Sequence, residues 1–79
     1  MKWKFHIRDF GVWSWTLPEL ANGWAPMVTD DSQMYAPKRK TQYVAAAVSR
    51  ERFIAHPLVF TELKKAKNEA LKLALDQRA

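Results

Sequence analysis

Hydrophobic and polar residues alternate from the start of the chain. In "WKFHIRDF", Trp3, Phe5 and Ile7 fall on one side and Lys4, His6 and Arg8 on the other, the period of two that marks a half-buried strand. "VWSWTL" alternates again, with Trp13, Trp15 and Leu17 on one face and Val12, Ser14 and Thr16 on the other. The intervening "DFG" supplies a turn at Gly11, where positive φ costs nothing. The two runs therefore read as a hairpin. Pro18 ends the second strand or sets it at an edge, because proline cannot donate to a ladder.

"ANG", Ala21 to Gly23, is a turn of the Asn-Gly kind, and "WAPMV" after it predicts a third strand. Pro26 within that run points to an edge or a bulge, and Asp30-Asp31 end it. From Pro37 the period changes. Tyr43, Val44, Ala47 and Val48 recur at helical spacing among good helix formers, which predicts a helix from Pro37 to about Arg50. "RFIA" then reads as a short fourth strand, and Pro57 interrupts any helix at that point. In "PLVFTELKKAKNEALKLALDQ" the residues Val59, Phe60, Leu63, Ala66, Ala70, Leu73 and Ala74 make one apolar stripe, the pattern of an amphipathic helix. Leu71 and Leu75 widen that stripe on one flank; a partner subunit could cover them, although a surface leucine at a frayed helix end is the commoner explanation.

The fold class that follows is α+β. A three-stranded antiparallel sheet, with a short fourth strand, is packed by one helix and followed by a C-terminal amphipathic helix. Residues 1–55 form the β-β-β-α(-β) unit. Residues 56–79 form the last helix, packed on the same domain or on a partner subunit.

Several of these residues carry a resemblance. The aromatic-x-aromatic-x-Leu of Trp13, Trp15 and Leu17, the Ala21-Asn22-Gly23 turn and Ser32-Gln33-Met34-Tyr35-Ala36 resemble the YegP-like family of small bacterial proteins of uncharacterised function. The likeness covers about residues 3 to 55 and leaves the last helix aside. It implies three antiparallel strands, a helix and a short further strand. Such proteins often carry the unit twice, so a homodimer of this single unit is the implied architecture. The interval before Ser32 is longer than the family pattern, and Ala45-Ala46-Ala47 stands without its usual glycine. No catalytic residue is implied.

Composition narrows function by exclusion. The 79 residues contain no Cys, so neither disulfides nor thiolate ligands can support so small a core, and oligomerisation is a common substitute. "VAAAV", Val44 to Val48, is the longest purely apolar run, far below the ~20 residues of a membrane span. The charged N-terminus is unlike a signal peptide, and a soluble, cytoplasmic protein with no membrane partner is the expectation. Thirteen Lys and Arg against eight Asp and Glu give a net charge of +5, which favours anionic partners without specifying one.

Catalysis finds little footing. Ser14 or Ser49 could be combined with His6 or His56 and an Asp, but no nucleophile elbow accompanies either serine. Two His fifty residues apart lack the further ligands of a zinc site, and Asp30-Asp31 suit a strand-ending turn. With only two Gly there is no glycine-rich phosphate loop. No catalytic residue, metal or cofactor is assigned, and the chain reads as a non-enzyme.

In "DDSQMYAPKRK" every residue through Pro37 has a structural duty: Asp30, Asp31 and Ser32 cap turn backbone, Tyr35 wedges between sheet and helix, and Pro37 starts the helix. Lys38, Arg39 and Lys40 are placed differently. Cations in a first helical turn oppose the macrodipole, and an anion at that helix N-terminus would offset them.

Two binding readings remain. Trp3, Trp13, Trp15 and Trp24 exceed what one small core requires, and tryptophan is an interface hot-spot residue. The preferred reading is a small binding or regulatory module docking on a partner protein through an aromatic-rich sheet face. An inhibitor or a phage-encoded accessory protein would have this character. The alternative is nucleic-acid binding by a basic sheet and helix N-terminus through Lys4, Arg8, Lys38, Arg39 and Lys40, helped by Lys2 and His6. Lys64, Lys65 and Lys67 lie near Glu62 and Glu69 and read as a solvated face.

Overall fold

The computed structural model describes residues 2–7, 12–30 and 42–77. They form an antiparallel meander of five strands in chain order, followed by one helix. The strands are β1 (Lys4–Ile7), β2 (Trp13–Thr16), β3 (Ala25–Asp30), β4 (Tyr43–Val48) and β5 (Phe53–Phe60), and the helix is α1 (Leu63–Leu75). The α+β class and the opening hairpin match the sequence pattern: Phe5 pairs with Trp15 and Ile7 with Trp13.

Two elements differ from expectation. The helix anticipated from Pro37 to about Arg50, on the residue pattern and on the YegP-like resemblance alike, is a strand over Tyr43–Val48; its first residues, Pro37 to Lys40, lie outside the described segments. The cause is the alternation hidden in "YVAAAV". Tyr43, Ala45 and Ala47 face α1, while Val44, Ala46 and Val48 face away, and β3 and β5 pair with the strand on both sides. Ladder pairing and burial override the helix propensity of alanine here. The short fourth strand expected at "RFIA" becomes the eight-residue edge strand β5, which runs through Pro57. Proline is tolerated because β5 pairs only with β4 and because its register slips there: Ala46 faces Ala55 and Val44 faces Val59. Residues 56–58 thus stand opposite the single residue Ala45, and the missing N–H of Pro57 breaks no regular ladder. Val59 and Phe60 are accordingly in β5, and α1 begins at Leu63.

α1 lies on the sheet of its own chain, across β3, β4 and β5. Its buried residues are Ala66, Ala70 and Ala74, one per turn on one face. They meet Val28 and Ala45 at one end and Trp24 and Ala47 at the other. Alanine on both sides lets the helix approach the sheet closely, at the expense of apolar volume in the core. Leu63, Tyr43, Phe60, Leu20, Ile54 and Leu73 close the margins. Leu71 is half-buried and Leu75 exposed on the outer flank.

The Asn-Gly turn has a second duty that its sequence did not announce. Gly23 takes φ +85, and the adjacent Asn22 reaches the end of α1. Its Nδ2 donates to the carbonyls of Ala74 at 2.7 Å and Gln77 at 2.8 Å. Its Oδ1 accepts the N–H of Trp24 at 3.0 Å. Carbonyls at a helix C-terminus lack intrahelical partners. Asn22 supplies them from a turn more than fifty residues away in the chain.

Candidate interaction surface

Each face of the sheet carries a distinct set of side chains, fixed by register. On the α1 side, β1 and β2 bring Phe5, Ile7, Trp13 and Trp15 together. Phe5 meets Trp13 edge-on at 5.7 Å and 86°, and Trp15 at 5.2 Å and 45°. Trp15 in turn meets Tyr43 at 5.7 Å and 71°. Trp15 and Tyr43 pack against the core under α1. Phe5 and Ile7 lie beyond the reach of the helix and remain 48% and 69% exposed. Trp13, paired with Ile7, is half-buried. The result is a ledge of aromatic and aliphatic side chains beside α1.

The four tryptophans assigned to partner binding are thereby sorted. Trp3, Trp13 and Trp15 belong to the ledge or its root. Trp3 is half-buried against the core, with the Lys67 ammonium 5.6 Å from its ring centroid, within cation–π range. Trp24 does not join them. It is only 5% exposed at the far end of the core, packed with Ala47, Ala74 and Leu20. Its assignment to a docking surface is corrected for that reason: the space left by two alanines is filled by its ring. Phe5 and Ile7, read from sequence as ordinary inward strand residues, are the most open members of the ledge.

The cationic candidates separate as well. Lys4 is exposed on the opposite face of β1 from Phe5, whereas Arg8, Lys38, Arg39 and Lys40 lie outside the described residues. Lys64, Lys65 and Lys72 are exposed on α1, two of them in i,i+3 pairs: Lys65 with Glu62 at 3.4 Å and Lys72 with Glu69 at 3.5 Å. Such exposed pairs contribute little.

His6 and Ser14 share the outer face, where His6 Nε2 lies 3.2 Å from Thr16 Oγ1. Asp30 pairs with Trp13 and so belongs to the α1 side, which keeps it apart from that histidine and serine. His56 sits on the α1 side of β5, stacked edge-on with Phe60, with Nε2 3.6 Å from Glu69. Its Nδ1 accepts the N–H of Leu58 at 3.1 Å. Among the described residues no group of three His, Cys, Asp or Glu is placed to hold a metal, and no helix is long and apolar enough to cross a membrane.

Two concavities are lined by described residues. One of about 480 Å³ opens at the end of the sheet between Glu19, Asn22, Trp24, Arg50, Glu51 and Arg52; its two carboxylates and two guanidinium groups balance in charge. The other, about 450 Å³, lies along the outer flank of α1 over Phe60, Leu71 and Leu75 with Lys65 and Lys72 on its rim.

No family model matches the chain, and neither does any curated protein or solved structure.

Proposed function

We propose that the protein is a small non-enzymatic binding module that docks on an acidic partner protein through the ledge of β1 and β2. The observation that carries this reading is the exposure of Phe5 and Ile7 at the free end of a ring cluster whose other end is rooted in the core. An anchor of that kind loses little conformational freedom on binding, because its neighbours already hold it. Clustered large apolar groups, rather than single exposed ones, mark interaction sites.

Charge indicates the chemistry of the partner. The described cation beside the ledge is Lys67, over the Trp3 ring, while β2 contributes no ionisable side chain and Lys4 and His6 stand on the opposite face of β1. A polypeptide offering an aromatic or aliphatic anchor among carboxylates complements both features. Nucleic acid fits the cations but fits the rings less well. Phe5 and Trp13 pack edge-to-face, and a face of Trp3 is taken by Lys67. Base stacking needs open, flat ring faces.

The test uses fluorescein-labelled polymers in anisotropy titrations: a random copolymer of glutamate and tyrosine, polyglutamate, and single-stranded DNA. The copolymer is expected to bind saturably and at least about tenfold more tightly than polyglutamate. Ile7→Lys should weaken it by roughly 10–100-fold, since burying one such side chain is worth about 1.5–3 kcal/mol. Equal affinity for the copolymer and for polyglutamate, or no response to Ile7→Lys, would reduce the ledge to a passive surface. Tighter binding of DNA, lost in Lys4→Glu, would replace the protein partner by a nucleic acid.

A further inference from the structure

The two edges of the sheet differ. β5 is guarded: Pro57 cannot donate a hydrogen bond, and the register slip around it disrupts the ladder. Both devices discourage further pairing. β1 pairs only with β2 among the described residues, and Lys4 to Ile7 hold a regular register without proline or bulge. All four residues of β1 are exposed. In an antiparallel edge strand alternate residues turn both N–H and C=O away from the neighbour. β1 therefore offers a further strand a regular set of donors and acceptors.

The side chains on the two faces of that edge are unlike. Phe5 and Ile7 stand on the α1 side, Lys4 and His6 on the outer side. His6 is engaged by Thr16 of β2 at 3.2 Å. Lys4 has no ion-pair partner among the described residues, and neither β1 nor β2 contains a carboxylate. A segment lying flat on the ledge reaches Phe5 and Ile7 but leaves Lys4 behind the sheet. A strand hydrogen-bonded along β1 reaches both, because its successive side chains point to opposite faces.

Resting on the ledge as the docking site, we infer that the partner binds by adding a strand to the free edge of β1. That strand is an extended acidic segment in which carboxylates alternate with aliphatic or aromatic residues. Its apolar side chains stand beside Phe5 and Ile7, and a carboxylate stands across from Lys4, at the ~4.5–5.5 Å of cross-strand neighbours. Main-chain hydrogen bonds supply affinity, and the alternation supplies specificity. Lys4 also selects against a second copy. With β1 against β1, each chain brings a lysine and no carboxylate to the outer face, on molecules of net charge +5. Like charges across strands are destabilising. A lysine that guards an edge against self-pairing becomes a contact for an acidic strand.

Fluorescein-labelled hexapeptides test this in anisotropy titrations of the full chain: the alternating Glu-Ile-Glu-Tyr-Glu-Ile and its block isomer Glu-Glu-Glu-Ile-Tyr-Ile. The alternating isomer is expected to bind at least about fivefold more tightly, and Lys4→Glu to weaken it about 3–10-fold. N-methylation of the peptide at alternate residues should weaken it about 3–10-fold in one parity and less in the other. The fast-exchanging amides of β1 should become protected in the complex. An alternating peptide that does not bind, equal binding of the two isomers, or indifference to the parity of N-methylation would overturn the inference. So would protection of all four β1 amides in the free protein: a mass of 9.2 kDa would then give the edge to the chain's own residues, and twice that to a second copy. Ledge docking itself stands or falls on the glutamate–tyrosine copolymer and Ile7→Lys. Copolymer binding that depends on Ile7 but leaves the β1 amides unprotected would keep the ledge and remove the added strand.

Discussion

Replacing Asn22 by alanine removes one residue from a turn, yet the damage should appear in the helix at the other end of the chain. Three hydrogen bonds depend on its amide: two from Nδ2 to the carbonyls of Ala74 and Gln77, and one accepted by Oδ1 from Trp24. A typical intramolecular hydrogen bond contributes about 0.5–1.5 kcal/mol net, which puts the sum of three at ~1.5–4.5 kcal/mol. The side chain is part-buried, so water recovers some of that loss. The expectation is therefore the lower end, about 2 kcal/mol. For a domain whose whole stability is ~0.05–0.15 kcal/mol per residue, that is a large share.

The assay is urea unfolding followed by far-ultraviolet circular dichroism for α1 and by tryptophan emission for Trp24. With an m-value near ~1 kcal/mol/M for a small domain, the midpoint should fall by about 2 M. Asn22→Asp sharpens the test. It keeps a similar shape and one acceptor but loses both donors, and it places a carboxylate against the negative end of the helix. Asp should therefore be worse than Ala. An alanine variant within about 0.5 kcal/mol of the parent, or an aspartate variant more stable than the alanine one, would refute the clamp. Net hydrogen-bond values of this size would then not apply at the site.

The remaining predictions bear on the core and on the ledge. Trp24→Ala should cost about 3–5 kcal/mol in the same urea assay, since the ring fills the notch between Ala47 and Ala74; a change under 1 kcal/mol would return Trp24 to the surface. Ala70→Leu should cost about 1–3 kcal/mol by overpacking, because Ala70 is fully buried against Val28 and Ala45; a stabilised variant would mean the helix can lift freely. Ile7→Lys should weaken ledge binding by roughly 10–100-fold while moving stability by less than about 0.5 kcal/mol, read by polymer anisotropy beside a urea melt.

How far the sequence carried the fold depends on the element. The β1–β2 hairpin was legible because alternation and turn chemistry agreed, and the register shows Phe5 beside Trp15 and Ile7 beside Trp13. The body of α1 was legible because Leu63, Ala66, Ala70, Leu73 and Ala74 keep one face. Its start was not. Pro57 mimics a helix N-terminus but occupies the irregular stretch of an edge strand, and Glu62, the true N-cap, makes no side-chain capping bond. β4 was illegible for a deeper reason. Alanine at three successive positions satisfies both a period of two and a period of 3.6, and only the neighbours decide. Here the neighbours are two strands and an alanine-faced helix, and they select the strand.

That one ambiguity also concealed the candidate surface. A helix is about 10–12 Å across, so one helix covers two or three strands spaced ~4.8 Å apart. Two helices on three strands would have roofed every aromatic of the hairpin, and exposure of Phe5 could not have been foreseen. With Tyr43–Val48 in the sheet the described residues make five strands and a single helix, and that helix leaves about two strands beyond its own width. Because α1 sits over β3, β4 and β5, the uncovered pair is β1 and β2, where Phe5, Ile7 and Trp13 stand. The same change of state turns Val44, Ala46 and Val48 outward beside Met27 and Phe53 and creates the apolar half of the outer face. The excess of tryptophan and the excess of lysine are then separate matters. Aromatic surface follows from a sheet wider than its helix. The lysines of β1 and α1 lie elsewhere, Lys4 on the outer face of β1 and Lys64, Lys65 and Lys72 exposed along the helix.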